Sequence, residues 1–181
     1  KLVQLPLHSQ PGTGWYYSFS IDVLGRIIEV VTDKNYGDVM RERLFDPLGM
    51  TETGFYVTPD QKPRFVSNYF LQEDGTFVVA EDGQTSTFLK ENAYQNPGGG
   101  VISTLGDYAK FAELMVEGGT YNGTKILERE TVEAMMSNQM DPDDTFMMPW
   151  LGGETGAGFG YGGAVQISAT PEQVKQAGRQ V

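Results

Sequence analysis

Apolar positions recur at helical spacing over 18–33, where Ile21, Leu24, Ile27, Ile28 and Val31 form one stripe and Ser18 or Ser20 can cap the start. A second helix is expected over 36–45, with Tyr36, Val39, Met40 and Leu44 inward and Arg41, Glu42 and Arg43 outward. Asp46-Pro47 should end it, because a residue before proline is pushed out of the helical region. The pattern then shortens. Residues 64–71 and 76–80 read as two strands joined at Glu73-Asp74-Gly75, a hairpin. The polar stretch 81–97 reads as loop. Helical periodicity returns over 105–117, with Thr104 as cap, Leu105, Tyr108, Ala112 and Met115 as stripe, and Gly118-Gly119 as stop. A last helix is expected over 129–137, burying Val132, Met135 and Met136. Residues 141–163 read as loop and Tyr161–Ser168 as a strand. Helices, a hairpin, more helices and a late strand make an α+β chain dominated by helix, without the regular alternation of a doubly wound sheet.

Length and composition narrow the chemistry. The chain has 181 residues, 39% of them hydrophobic and 20% charged, enough to bury a core without staples. It has no cysteine, which excludes disulfides, thiolate metal sites and cysteine nucleophiles. With His8 as the only histidine, multi-histidine zinc sites are excluded too, and nothing calls for a metal or cofactor. A net charge of −11, with scattered Lys and Arg, makes nucleic acid and anionic membrane poor partners. The longest apolar neighbourhood, Ile27-Ile28 and Val30-Val31, is broken by Glu29 and is far too short to span a membrane. The chain starts at Lys1 without Met and stops in a polar run, so both ends read as cut from something longer. The compartment stays open.

Gly-x-Ser-x-Gly and Ser-x-x-Lys are both absent, so no activated serine is evident. The nearest approximation, Thr87-Phe-Leu-Lys90, sits in a polar stretch. Gly158–Gly163 matches G-x-G-x-x-G formally, but a loop precedes it and a strand follows. Glycines that permit close backbone approach are the better reading. Asp141-Pro-Asp143-Asp144 lacks the spacing of a calcium loop and reads as a solvated turn. His8 lies in a proline-bounded loop without a carboxylate nearby in sequence. Gly12-Thr-Gly-Trp-Tyr-Tyr-Ser-Phe-Ser enters the first helix, where a tyrosine hydroxyl can face a cleft. Taken alone, Trp15, Tyr16 and Tyr17 read as aromatic core packing, and only further context favours the cleft.

Several stretches together resemble one family. They are Pro11-Gly-Thr followed by Tyr17-Ser18-Phe19, Asp22-Val-Leu-Gly25-Arg-Ile-Ile-Glu29, and Leu44-Phe-Asp-Pro-Leu-Gly-Met50-Thr-Glu-Thr53. Further on come Gly98-Gly-Gly-Val-Ile-Ser-Thr104, Asp107-Tyr-Ala-Lys-Phe111 and Gly158-Phe-Gly-Tyr-Gly162. Spread from about residue 6 to 168, they resemble the serine β-lactamase family in the broad sense: class C β-lactamases, D-alanyl-D-alanine carboxypeptidases and family VIII carboxylesterases. The resemblance implies the helical lobe of a β-lactamase/penicillin-binding-protein-like fold with a small hairpin and part of the antiparallel sheet. It implies one incomplete domain over 1–181: an active-site loop at 1–17, the helical lobe at 18–157 with the hairpin at about 64–80, and the start of the sheet region at 158–181.

The family works with Ser-x-x-Lys, a Tyr-containing triplet and a later Lys-Thr-Gly, His-x-Gly or Trp-Gly-Gly. Only the triplet has a match, Tyr17-Ser18-Phe19, in which the resemblance makes Tyr17 the general base. It puts the first motif before Lys1 and the third beyond Val181. Lactamases usually carry Asn at the third triplet position; Phe19 has no polar side-chain atom, which disfavours β-lactam hydrolysis and leans toward an ester with an apolar acyl or alcohol part. The implied function is therefore part of a serine hydrolase acting on small-molecule esters or amides through an acyl-enzyme, carboxylesterase before β-lactamase. The alternative is a non-catalytic binding or assembly module. Apolar faces left uncovered in such a piece would promote self-association.

Overall fold

The first helix forms at Ser20–Thr32 (α1), inside its expected span. The computed structural model describes residues 4–92, 94–141, 144 and 157–168. The chain divides into two units, one comprising Phe19–Ile126 and the other Lys1–Ser18 with Leu127–Val181.

In the Phe19–Ile126 unit, α1 departs from expectation at both its cap and its face. The N-cap position falls on Phe19, so neither Ser18 nor Ser20 caps the helix. Ile21, Leu24, Ile27 and Val31 are exposed, and the buried position is Gly25. The reason is a strap, residues 94–100, laid across the helix. A Cβ on Gly25 would stand 2.0 Å from Cγ of Pro97. The Tyr94 hydroxyl donates to the Asp22 carboxylate, and the Gly37 N–H donates to Gln95 Oε1. The carboxylate at its oxygen pushes the Tyr94 phenol up to about 12, with burial adding to the effect. Gly25→Ala would gain about 1 kcal/mol in helix propensity. Forcing a methyl against a rigid ring costs about 1–3 kcal/mol, and this overlap lies at the severe end. The variant should therefore be less stable by about 1–2 kcal/mol, read by urea denaturation.

The second helix does not stop at Pro47. Tyr36–Met40 (α2) runs through a π-helical stretch, Arg41–Phe45, into Asp46–Leu48 (α3). The Asp46 N–H bonds back to the Arg41 carbonyl, five residues earlier. That wider turn makes room for the Pro47 ring, which would crowd the preceding turn of a regular helix. Termination comes at Gly49, left-handed at φ 65°. The Gly49 N–H reaches the Asp46 carbonyl at 3.0 Å and the Met50 N–H reaches the Phe45 carbonyl at 2.8 Å. This is a Schellman ending, whose usual apolar contact is supplied by Met50 and Phe45 in one cluster. The block Phe45-Asp-Pro-Leu-Gly-Met50 thus encodes a helix stop and a core anchor together.

Leu105–Val116 (α4) starts as expected, the Asp107 N–H donating to Thr104 Oγ1 at 3.2 Å. It ends in a second Schellman pair, Gly118 N–H to Met115 and Gly119 N–H to Leu114. The expected stripe is corrected: Leu105, Tyr108 and Ala112 are exposed, and the buried positions are Asp107 and Leu114. Burial follows the partner surface, which offers polar groups to Asp107. Phe45, Leu48, Met50, Phe55 and Leu114 form the core, with Tyr36, Met40, Leu44, Phe111, Tyr121 and Ile126 packed around it. Leu114 is fully inaccessible, a burial that contributes about 1.5–3 kcal/mol.

The hairpin exists but is shorter. Asn68–Leu71 (β1) pairs antiparallel with Phe77–Glu81 (β2), while Lys62–Arg64 is a 3-10 turn. Tyr69, Phe70, Leu71, Phe77, Val78 and Val79 are all exposed. Thr87–Leu89 adds a further 3-10 turn to the expected loop. Thr120–Tyr121 (β3) and Thr124–Lys125 (β4) make a minimal hairpin that sequence periodicity did not reveal.

In the other unit, Arg129–Met135 (α5) buries Val132 but leaves Met136 exposed, because the helix ends before it. The single expected strand is a pair, Ala157–Phe159 (β5) with Ala164–Gln166 (β6), joined through Gly160–Gly163. Asp141-Pro-Asp143-Asp144 lies partly outside the described residues.

Candidate functional site

Tyr17 lies on the irregular segment leading out of the first eighteen residues, and its ring is held by aromatic edges. Its centroid is 6.2 Å from Phe159 in a T-shaped pair at 82°, and 6.4 Å from Trp15. Trp15 and Phe159 close the triangle at 5.1 Å. Contacts of this kind add about 0.5–1.5 kcal/mol each beyond area burial and fix the ring plane. Even so, Tyr17 keeps 48% of its surface exposed, so the ring is seated on the cluster rather than sunk in it. Ser18 is exposed as well, and Phe19, the first residue of the other unit, is 68% exposed.

Phe159 is placed by glycines. A Cβ on Gly160 would fall 2.0 Å from the Met135 carbonyl oxygen, and one on Gly158 would fall 2.1 Å from Asn138 Oδ1. That oxygen accepts from the Phe159 N–H at 3.2 Å, and the Tyr161 N–H reaches the Met135 carbonyl at 3.2 Å. The glycines of 158–163 therefore let a strand pair settle on the C-terminal end of α5. Among the described residues a strand rather than a helix follows them, against the dinucleotide reading. His8 packs edge-on against Tyr16 at 4.5 Å. Thr87 and Lys90 are both exposed around a 3-10 turn.

A second polar constellation, in the Phe19–Ile126 unit, went unread in the sequence. The buried Asp107 carboxylate accepts from the Glu52 N–H at 2.8 Å, from Thr53 Oγ1 at 3.0 Å and from Lys110 Nζ at 2.9 Å. Lys110 also donates to the Gly49 carbonyl, and Thr53 Oγ1 shares a hydrogen bond with Ser103 Oγ at 2.8 Å. Burial pushes the Asp107 pKa up; the Lys110, Glu52 and Thr53 hydrogen bonds outweigh it and hold the group below the usual carboxylate range. This knot ties the loop after α3 to the start of α4 and is structural. Two clefts in the same unit, one around Arg26, Asp33 and Asp38 and one around Val57, Arg64 and Ser103, include neither Tyr17 nor Phe19. Among the described residues, no group of three or more His, Cys, Asp or Glu could hold a metal, and no helix is long and apolar enough to cross a membrane.

The family model for Beta-lactamase matches residues 1–176. The chain belongs to the beta-lactamase family. An uncharacterised protein of Mycobacterium tuberculosis is 33% identical over 170 residues, covering 94% of this chain and 42% of that protein. The lovastatin esterase of Penicillium rubens is 27% identical, covering 92% and 44%. Penicillin-binding protein 4 of Amycolatopsis lactamdurans is 32% identical, covering 81% and 36%. Among solved structures, EstCE1, a hydrolase with promiscuous acyltransferase activity, superimposes with a TM-score of 0.70 at 26% identity, over 92% of this chain and 44% of that one. This chain thus spans less than half the length of these relatives. The expected α+β architecture, with its helices and small antiparallel strand pairs, is the one that this beta-lactamase-family chain adopts. Two blocks that carried the resemblance now have physical meaning: Phe45–Met50 is a helix stop anchored in the core, and Ser103–Asp107 with Glu52-Thr53 is the buried carboxylate knot.

Proposed function

We propose that this chain is the Tyr-motif portion of a serine hydrolase that cleaves small-molecule esters through an acyl-enzyme. Tyr17 is its general base, and the nucleophilic serine comes from polypeptide outside these 181 residues. In the acylation step the serine oxygen bonds to the ester carbonyl carbon, and its proton passes to the oxygen of Tyr17 acting as the phenolate, which becomes the neutral phenol. The proton then goes to the departing alcohol as the carbon–oxygen bond breaks, and water releases the acid by the same route. The observation that carries the reading is the seating of Tyr17: oriented by Phe159 and Trp15, yet half exposed. Phe19 supports the ester preference, because its ring can neither donate to nor accept from a substrate amide.

An amide group left unpaired on binding costs about 1–3 kcal/mol, and 1.4 kcal/mol is about tenfold in rate. The full gene product should therefore hydrolyse short-chain p-nitrophenyl esters with kcat/KM at least about tenfold above that for cephalosporins. A fluorophosphonate should label it covalently, whereas these 181 residues expressed alone should not be labelled. Faster cephalosporin turnover would overturn the role given to Phe19. Labelling of the 181-residue chain would mean that its nucleophile lies within it.

A further inference from the structure

Six asparagines occur in the chain, and only Asn122 is followed by glycine. The others precede Tyr36, Tyr69, Ala93, Pro97 and Gln139, whose side chains shield the next backbone nitrogen or, in Pro97, remove its hydrogen. Asn122-Gly123 is the two-residue loop between β3 and β4, with φ 46° and 79°, the paired positive values of a type I′ turn. Asn122, Gly123 and Thr124 are all exposed. The side chain of Asn122 has no hydrogen-bond partner among the described residues, whereas Asn96 and Asn138 accept backbone N–H groups. The two aspartyl-glycine turns differ as well. Asp74 is held by the Thr76 N–H and hydroxyl at 2.9 and 2.7 Å, and Asp82 by the Gln84 N–H at 2.8 Å.

We propose that Asn122 is a self-modification site, converting to aspartate and isoaspartate through a cyclic imide. The Gly123 backbone nitrogen attacks Cγ of Asn122, forming the ring nitrogen–carbon bond and expelling the side-chain nitrogen as ammonia. Water then opens either carbonyl of the ring, leaving an aspartyl or an isoaspartyl link. Attack requires the Asn122 backbone to rotate out of the turn. The hairpin opposes this with only two residue pairs, Thr120↔Lys125 and Tyr121↔Thr124, so opening is local. The two products have different consequences. Aspartate keeps the chain length and tolerates the left-handed conformation. Isoaspartate adds a backbone carbon between positions 122 and 123 and shifts the register. Tyr121 and Ile126, which pack on the Leu114 cluster, flank that register.

The test is to incubate the purified full gene product at mildly alkaline pH and follow these six asparagines by peptide mapping, with isoaspartyl methyltransferase labelling of the products. Conversion at Asn122 should outpace the others at least several-fold, with isoaspartate in excess, and Asn122→Gln should abolish it. No faster conversion at Asn122 than elsewhere overturns the proposal. Asn122→Asp separates added charge from added backbone. The aged, isoaspartate-enriched sample should melt below Asn122→Asp; equal melting overturns the register consequence.

Discussion

Tyr17→Phe should lower kcat for ester hydrolysis in the full gene product by about 10²–10⁴-fold, the usual contribution of a positioned general base. The phenyl ring keeps the edge contacts with Phe159 and Trp15, so folding and the shape of the surroundings should survive. KM should therefore change little while kcat and kcat/KM fall together, the pattern of a group that acts in the transition state. Thermal unfolding of the variant provides the control. Undiminished turnover with the phenyl ring in place would remove Tyr17 from the mechanism, and a KM-only effect would make it a binding residue.

The second large effect is on stability. Asp107→Ala removes the acceptor for the Glu52 N–H and Thr53 hydroxyl and leaves Lys110 without its carboxylate. Breaking a buried, hydrogen-bonded charge pair from one side costs about 3–5 kcal/mol, the larger part of it from the donors left behind. That is a substantial share of the 5–15 kcal/mol that holds a typical domain together, so the variant should be marginal or unfolded at ambient temperature. Asp107→Asn keeps the shape and one acceptor oxygen, and should fold while losing the charge-assisted part. The sign of the pH dependence follows from the direction of the shift. A carboxylate whose folded pKa lies below its unfolded value, about 3.9, contributes fully above that value and loses its contribution as pH falls through the folded pKa. The stability gap between wild type and Asp107→Asn should be constant near neutrality and close as the pH is lowered below about 4. A gap independent of pH would mean that shape rather than charge holds the knot.

Local chemistry was readable in the chain. Thr104 caps α4, Gly118 stops it, and Asp74-Gly75 turns the first hairpin; each depends on atoms within a few residues, which sequence spacing specifies. The Tyr17-Ser18-Phe19 triplet was legible for a different reason, its match to a family pattern. Neighbours distant in sequence set the rest. The stripe of α1 was correctly apolar, yet Pro97 covers Gly25 instead. On α4 the buried face turned to Asp107 because Glu52 and Thr53 came to meet it. Pro47 stayed inside a helix because a π turn opened ahead of it. Periodicity reports which face of a helix could be buried; what is laid against that face arrives from elsewhere in the chain, and the short-range code carries no record of it.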